Sequence, residues 1–435
     1  MSVQAILQQI QQSGWFEGMS LFSYFYPLLM AHIWTAGALV FYWQHERSAT
    51  VARFLRAPKR SWPMVSVIVP CYNEEDNVEE VISHLLGVNY PNFEIIAVND
   101  GSKDNTGPLL DALARSSSRI RVIHQAKNQG KAVGLITAAM VAKSEYLVCI
   151  DGDALLDHDA LPWLVRHFVY NSSVGAVTGN PRIRNRSTLL GRLQVGEFSS
   201  IIGLIKRAQS SYGRIYSVSG VITAFRRSSL HDVGYWSVDM MCEDIDITWK
   251  LQTSGWLVRY EPHALCWILM PETLNGLWKQ RLRWAMGGMQ VLLRYTRTLP
   301  TPQGIRMLPL YAEYALSVLW AYVMTFCLGI AGVSLVWHLA NGATGNDTWA
   351  RLLPAWSGLW LATVCLAQMF ISFLMDRRYE KNLMSVYISV IWYPIAFWLI
   401  TMMATVWALP KTLLRKNGQR ARWVSPDRGY TGGTR

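Results

Sequence analysis

Residues 21–43 form one apolar run, with His32 as its single interruption. A run of this length can span a bilayer as a helix. No Lys or Arg precedes it, whereas Arg47, Arg53, Arg56, Lys59 and Arg60 follow. The positive-inside rule then places the following segment in the cytoplasm and the N-terminus outside. The start, MSVQAILQQIQQSGWFEG, lacks the basic segment that opens a cleaved signal peptide. Further apolar blocks occupy residues 308–337, 353–375 and 383–409. Such blocks force the chain to divide between a membrane part and a water-facing part. The composition agrees, with 51% hydrophobic and 16% charged residues, a net charge of +12 and a mean hydropathy of +0.14. A soluble chain averages about a quarter charged residues. A disordered chain is excluded, and an ordinary cytosolic enzyme is disfavoured.

The residues between suggest boundaries at 1–44 (N-terminal segment and membrane helix), 45–300 (water-facing domain), 301–410 (C-terminal membrane helices) and 411–435 (basic tail). The topology carries a tension. Three full spans after the domain would put the tail, with Arg415, Lys416, Arg420, Arg422, Arg428 and Arg435, outside. The positive-inside rule wants both that tail and the loop DRRYEK (376–381) inside. Pro394 lies within the last block, so that block is a candidate for a re-entrant or interfacial segment. The six cysteines form no CxxC pair or zinc-type spacing and read as reduced structural thiols.

The middle of the chain alternates short β-branched runs with helical stretches. VSVIVP (65–70), FEIIAVND (93–100), RIRVIHQ (119–125) and YLVCIDGD (146–153) read as buried strands, with NVEEVISHLL (77–86) as one intervening helix. The pattern implies βαβ units and a mostly parallel sheet. Ligands bind such sheets at the carboxyl ends of the strands. There the sequence places CYNEE, NDGS and DGD.

Each motif has a chemical reading and a bland one. Asp151 and Asp153 of DGD can hold a hard divalent cation whose remaining positions go to water and phosphate; alone, DxD is often a solvated turn. Asp100 can accept hydrogen bonds from a base or ribose, or simply close an Asx turn. Lys131, beside Gly130 at a helix start, suits a diphosphate, although no Walker loop is present. In CEDIDITWK (242–250), Glu243, Asp244 and Asp246 either cap a helix or crowd one another. Crowding raises one carboxyl's pKa and makes it a better base near neutral pH. QRLRW (280–284) lies on a basic amphipathic stretch suited to a membrane surface. There Arg281 and Arg283 can neutralise a leaving diphosphate and Trp284 can stack on a sugar, or all three can anchor to lipid headgroups. Together these parts describe a nucleotide diphosphate held by a metal and basic side chains, with one carboxylate base. One base without a second nucleophile means a single in-line displacement, with inversion at the sugar.

The set VSVIVPCYNEE, VNDGS, NQGKA, DGD, ED and QRLRW resembles the processive inverting glycosyltransferases of family 2, which include cellulose, chitin and hyaluronan synthases. The stretches QVGEFSSIIGLIKR, VSGVITAFRR, EPHALCWILMPETLNGLWKQRLRWAMGG and QRARWVSPDRG resemble the members of that family that make poly-N-acetylglucosamine. The resemblance implies an α/β, GT-A-type, mostly parallel catalytic domain inserted between membrane helices. It implies UDP-N-acetylglucosamine as donor, Mg²⁺ or Mn²⁺ as metal, and a growing β-1,6-linked polymer of the biofilm type as acceptor. By motif position, Asp100 would contact uridine, Lys131 the nucleotide, and Asp151 and Asp153 the donor and metal. Asp244 would be the base beside Glu243, and Gln280, Arg283 and Trp284 would bind diphosphate and acceptor. The family usually writes TED where this chain has CED, with Cys242 in the Thr position. RARW (420–423) is a candidate for the missing gating motif. A small membrane partner subunit, control by cyclic di-GMP, and a bacterial inner membrane with the domain in the cytoplasm are also implied, and no nucleic-acid partner. The competing readings are a synthase of another polymer, a transferase acting on a lipid carrier, and a non-catalytic nucleotide or glycan receptor.

Overall fold

The computed structural model describes residues 3–46, 62–341, 356–416 and 418–421. Arg47, Arg53, Arg56, Lys59, Arg60, the first residues of the block at 353–375, and Arg422, Trp423, Arg428 and Arg435 lie outside the described residues. The first apolar run is helix α1 (Gly14–Phe41), which passes into a π-helical turn, Tyr42–Glu46.

The water-facing domain is built on one sheet. Its strands are β1 (Val65–Cys71), β2 (Phe93–Asn99), β3 (Ile120–His124), β4 (Tyr146–Ile150), β5 (Leu155–Leu156), β6 (Val174–Ile183), β7 (Ile222–Arg226) and β8 (Leu257–Ile268). Their order is β3-β2-β1-β4-β7-β6-β8-β5. The four strands foreseen from the sequence form the parallel half, with Val65 level with both Phe93 and Tyr146. That register brings CYNEE, NDGS and DGD to one edge. The other half was not foreseen. There β7 runs antiparallel to both β4 and β6, while β6 and β8 are parallel. Every residue of β1, β2 and β6 is buried, and most are apolar or small, with Glu94, Asn99, Asn180 and Arg182 as buried polar exceptions.

Helix α2 (Lys131–Val141) follows β3. Between β6 and β7 the chain leaves the sheet through α3 (Leu189–Glu197), a second π-helical turn (Phe198–Gly203) and α4 (Leu204–Ser211). Helix α5 (Glu243–Thr253) and α2 cover one sheet face, where Leu135, Ala138, Phe225, Trp236 and Ile247 share a core. Helices Val78–Leu86, Thr106–Ser116 and Ala160–Tyr170 pack in a second core with Val67, Leu110 and Leu164.

After the sheet comes the amphipathic helix α6 (Leu274–Tyr295), whose start is capped by the Thr273 hydroxyl accepting from the Gly276 N–H at 3.1 Å. Helix α7 (Pro302–Ala340) begins with Thr301 as cap and Pro302 in its first turn. Helix α8 is Trp356–Asp376 and α9 is Tyr393–Leu413. Gly14–Glu46, Pro302–Ala340 and Gly358–Asp376 are long and apolar enough to cross a membrane. The last apolar block does not form one helix. Short turns at Leu383–Val386 and Tyr387–Val390 precede α9, and Pro394 falls in the first turn of α9. Helix α9 packs chiefly along α6. Beyond it, the Ala421 N–H donates to Val238 O at 2.9 Å and Arg420 reaches Gln129 Oε1 at 3.1 Å. The DRRYEK loop, through Tyr379 and Glu380, and the described start of the tail, through Arg420 and Ala421, therefore both lie against the sheet domain.

The domain is locked to the membrane helices by buried charge. Arg207 of α4 binds Glu46 at 2.6 Å and Asp376 at 2.8 Å, and all three side chains are fully buried. Arg182 of β6 binds the other oxygen of Asp376 at 2.7 Å and Glu380 at 2.8 Å. Arg186 closes the network on Glu380. Removing one member strands the rest in a dry interior, at a cost of about 3–5 kcal/mol. Asp376→Ala is expected to lower the melting temperature of the detergent-solubilised protein sharply. Glu80→Ala, which breaks the exposed pair with Arg184, should cost under about 1 kcal/mol in the same assay.

Candidate active site

The loops after β1 and β2 are laced to each other. The Asn73 N–H donates to Ser102 Oγ at 3.0 Å, and the Lys103 N–H donates to Asn73 Oδ1 at 2.9 Å. Gly101 has φ +67°, and a side chain there would meet the backbone of Lys127 at 2.6 Å. Glycine is thus what lets the 125–130 loop close over the end of β2. Asp100 completes the closure. Its two carboxylate oxygens accept from the N–H groups of Gln129 at 2.8 Å and Gly130 at 2.9 Å, and the residue is fully buried. The uridine contact expected of Asp100 would have to share a carboxylate already committed to this loop.

Gly130, at φ +96°, turns the loop into α2, so that Lys131 starts the helix. Lys131 Nζ donates to Asp151 Oδ1 at 2.5 Å and to Gly220 O at 3.0 Å, and lies 3.5 Å from Glu243 Oε1. Burial alone would lower its pKa, but Asp151, Glu243 and Asp244 outweigh burial and hold it above the ordinary lysine value. Four charged residues from β4, α2 and α5 thus meet at one point. A Cβ on Gly220 would lie 3.2 Å from Asp244 Oδ2 and 3.3 Å from Lys131 Nζ, so the small residue leaves room for the convergence. Gly220 carried no signal in the sequence beyond its place in VSGVITAFRR.

Asp244 sits in the first turn of α5 beside Glu243 and Asp246, where the helix dipole favours negative charge. Burial raises its pKa, the Glu243 carboxylate adds to the rise, and Lys131 and Arg283 oppose it. The balance leaves Asp244 pushed up to about 6. Lys206 of α4 was not singled out from the sequence. Burial pushes it down to about 8, and the field of Asp244 acts against that fall.

Asp153 is buried and Asp151 is partly exposed at the end of β4. Among the described residues no group of three or more His, Cys, Asp or Glu could hold an ion by itself. Two carboxylates with hard oxygens still fit Mg²⁺ or Mn²⁺, which takes its remaining ligands from water and substrate phosphates.

Helix α6 brings the QRLRW residues against α5. Cys242 packs on Gly287, where an added Cβ would lie 2.6 Å from its sulfur. Its thiol contacts Arg283 O at 3.6 Å, and Arg283 Nη1 lies 3.7 Å from the sulfur. In the Thr position of the family, Cys242 is therefore a bridge to the Arg283 turn. Arg283 is exposed, while Gln280 and Trp284 are partly buried. Arg281 does something else than the sequence suggested. It is buried, forks both guanidinium nitrogens onto Glu197 at 2.7 and 2.5 Å, and stacks 4.4 Å over Trp284. Its fork is filled by protein, so the leaving-group contact expected of it has no free donor pair to use.

An α/β sheet whose strand ends gather a lysine, a DGD pair and a helix-start carboxylate defines a glycosyltransferase. Residues 63–287 match the family described as Glycosyltransferase like family 2, and the chain belongs to it. Its relatives include the poly-beta-1,6-N-acetyl-D-glucosamine synthases of Staphylococcus aureus, 39% identical over 414 residues, and of Staphylococcus epidermidis, 37% identical over 409. Each alignment covers 94% of this chain and 98% of the relative. A mannosyltransferase from Pyrobaculum calidifontis, solved with GDP-Man and Mn2+, shares the fold with a TM-score of 0.56 at 20% identity. That match covers 89% of this chain and 98% of the other.

Asp100→Ala would leave the buried N–H groups of Gln129 and Gly130 without their acceptor, a loss of about 1–3 kcal/mol. The expected result is a lower melting temperature together with weaker UDP binding by calorimetry. Asp100→Asn, which keeps one acceptor oxygen, should lose less of both.

Proposed function

We propose that this chain is a membrane-embedded, processive, inverting glycosyltransferase that extends β-1,6-linked poly-N-acetylglucosamine from UDP-N-acetylglucosamine. The observation that carries the reading is the meeting of Lys131, Asp151, Glu243 and Asp244 at the strand ends, in a chain aligned almost end to end with synthases of that polymer. A divalent cation on Asp151 and Asp153 would supply charge neutralisation for the diphosphate. Lys131 and Arg283 add positive charge beside it, so that UDP leaves with its new charge matched. Asp244, as carboxylate, takes the proton of the acceptor's 6-hydroxyl while that oxygen bonds to the anomeric carbon and the bond to UDP breaks. With one base and a single displacement, the configuration inverts. Trp284 gives the acceptor ring a stacking surface next to this base. Gln280 lies one helical turn before Trp284, and its buried Oε1 has no hydrogen-bond partner among the described residues. It is therefore an acceptor available to sugar.

The reading places the domain on the cytoplasmic side of a bacterial inner membrane. It also includes a small membrane subunit and stimulation by cyclic di-GMP.

The test uses membranes carrying the chain, with and without the small subunit, supplied with UDP-N-acetylglucosamine and Mg²⁺. UDP release with polymer that a β-1,6-N-acetylglucosaminidase digests supports the proposal, and undigested polymer would move it to another polysaccharide. Asp244→Asn should abolish turnover while UDP still binds; unchanged turnover would remove Asp244 from the base role. Chelation should stop transfer, with recovery on adding Mg²⁺ or Mn²⁺. The active form of the base is its carboxylate. With Asp244 at about 6, kcat/KM should hold above that pH and fall about tenfold per unit below it.

A further inference from the structure

We propose that Glu197 is a positioning residue for transfer, which acts through Arg281 to fix the ring of Trp284 against the acceptor sugar. The inference rests on the function proposed above and extends it to a residue of the QVGEFSSIIGLIKR stretch that was given no role there. Arg281 and Trp284 are three residues apart and share a face of α6. The guanidinium lies 4.4 Å over the indole, so the ring has a charged plate behind it. The plate is held in turn. Both terminal nitrogens of Arg281 are taken by the two oxygens of Glu197, a fork that allows one orientation of the guanidinium plane. A guanidinium held in this way keeps a flat charged surface against one face of the indole, and turning the ring away would give up that cation–π contact.

Glu197 is itself held from the membrane side. It ends α3, where the helix widens into the π-helical turn Phe198–Gly203. Such turns recur at functional sites. The carbonyls of Ser199 and Ser200 receive Ser372 Oγ at 2.6 Å and Gln368 Nε2 at 3.5 Å, both from the candidate span α8. Gly196 abuts Val390, where a Cβ would lie 2.6 Å from a valine methyl. Gln194 Nε2 donates to Pro271 O at 2.6 Å, at the entrance to α6. Glu197 therefore stands where a membrane helix, the π-helical turn and the QRLRW helix meet. A shift of α8 would reach Trp284 through two side chains.

The test measures turnover, donor KM, UDP affinity and polymer length for the full chain in membranes. Its variants are Glu197→Gln, Glu197→Asp, Arg281→Lys and the double variant Glu197→Gln/Arg281→Lys. The expected result is about a tenfold loss of turnover in Glu197→Gln and Arg281→Lys, shorter chains, and donor KM and UDP affinity within about twofold of wild type. Glu197→Asp should recover part of the loss, and the double variant should be no worse than either single one. If Glu197→Gln does not fold, Glu197→Asp and Arg281→Lys make the same comparison. Unchanged turnover in the folded variants, additive losses, or a donor KM that rises in step with lost turnover would overturn the proposal. The last of these would return Arg281 to the diphosphate. No UDP release from wild-type membranes would instead overturn the function on which it rests.

Discussion

Arg207 is a fully buried cation between two carboxylates that belong to different parts of the chain, Glu46 after the first span and Asp376 at the end of α8. Two buried pairs do not stabilise a protein by much in themselves, because desolvation offsets most of the attraction. What they impose is register. Arg207 can be satisfied only if α4, the end of α1 and the end of α8 arrive together, and Arg182 adds the end of β6 to the same condition. Helix α4 also carries Lys206, and Gln209 accepts the Tyr216 N–H at 2.9 Å, next to the loop that leads to Gly220. The sheet domain is thus fixed in position against the ends of α1 and α8.

The site itself divides its charges by element. Lys131, at the start of α2, is the cation that the carboxylates of Asp151, Glu243 and Asp244 surround. Without it three acidic groups would share one corner. With it the Asp151 carboxylate has an ion-pair partner, while Asp244 keeps a pKa raised into the range useful for a base. In the reading proposed above, Lys131 and the DGD pair serve the donor from the strand ends, while α6 supplies Arg283 to the diphosphate and Trp284 to the acceptor.

The donor half was legible because its signals are local. Buried parallel strands read as β-branched runs, and a polar strand end is visible within a few residues. The less legible features depend on contacts far along the chain. Nothing near Arg281 announces Glu197, so a basic residue in a catalytic motif looked like a ligand for phosphate. The loop-closing role of Asp100 was hidden for the same reason, since the two N–H groups it accepts from lie in a later loop. The antiparallel half of the sheet escaped notice because β7 and β8 join it through loops and helices with no alternating pattern of their own. The last apolar block, with Pro394 inside it, read as a candidate re-entrant or interfacial segment, and its packing along α6 and the return of Ala421 to Val238 are seen only in the structure.

The central claim is that one carboxylate base carries out one displacement on a nucleotide sugar. The most direct measurement is the anomeric configuration of polymer grown in membranes from carbon-13-labelled UDP-N-acetylglucosamine, read by NMR. The donor is an α-glycoside, so a single displacement predicts β-linked residues joined through the 6-oxygen. An α-linked product would mean retention, and would contradict the assignment of Asp244 as the sole catalytic carboxylate.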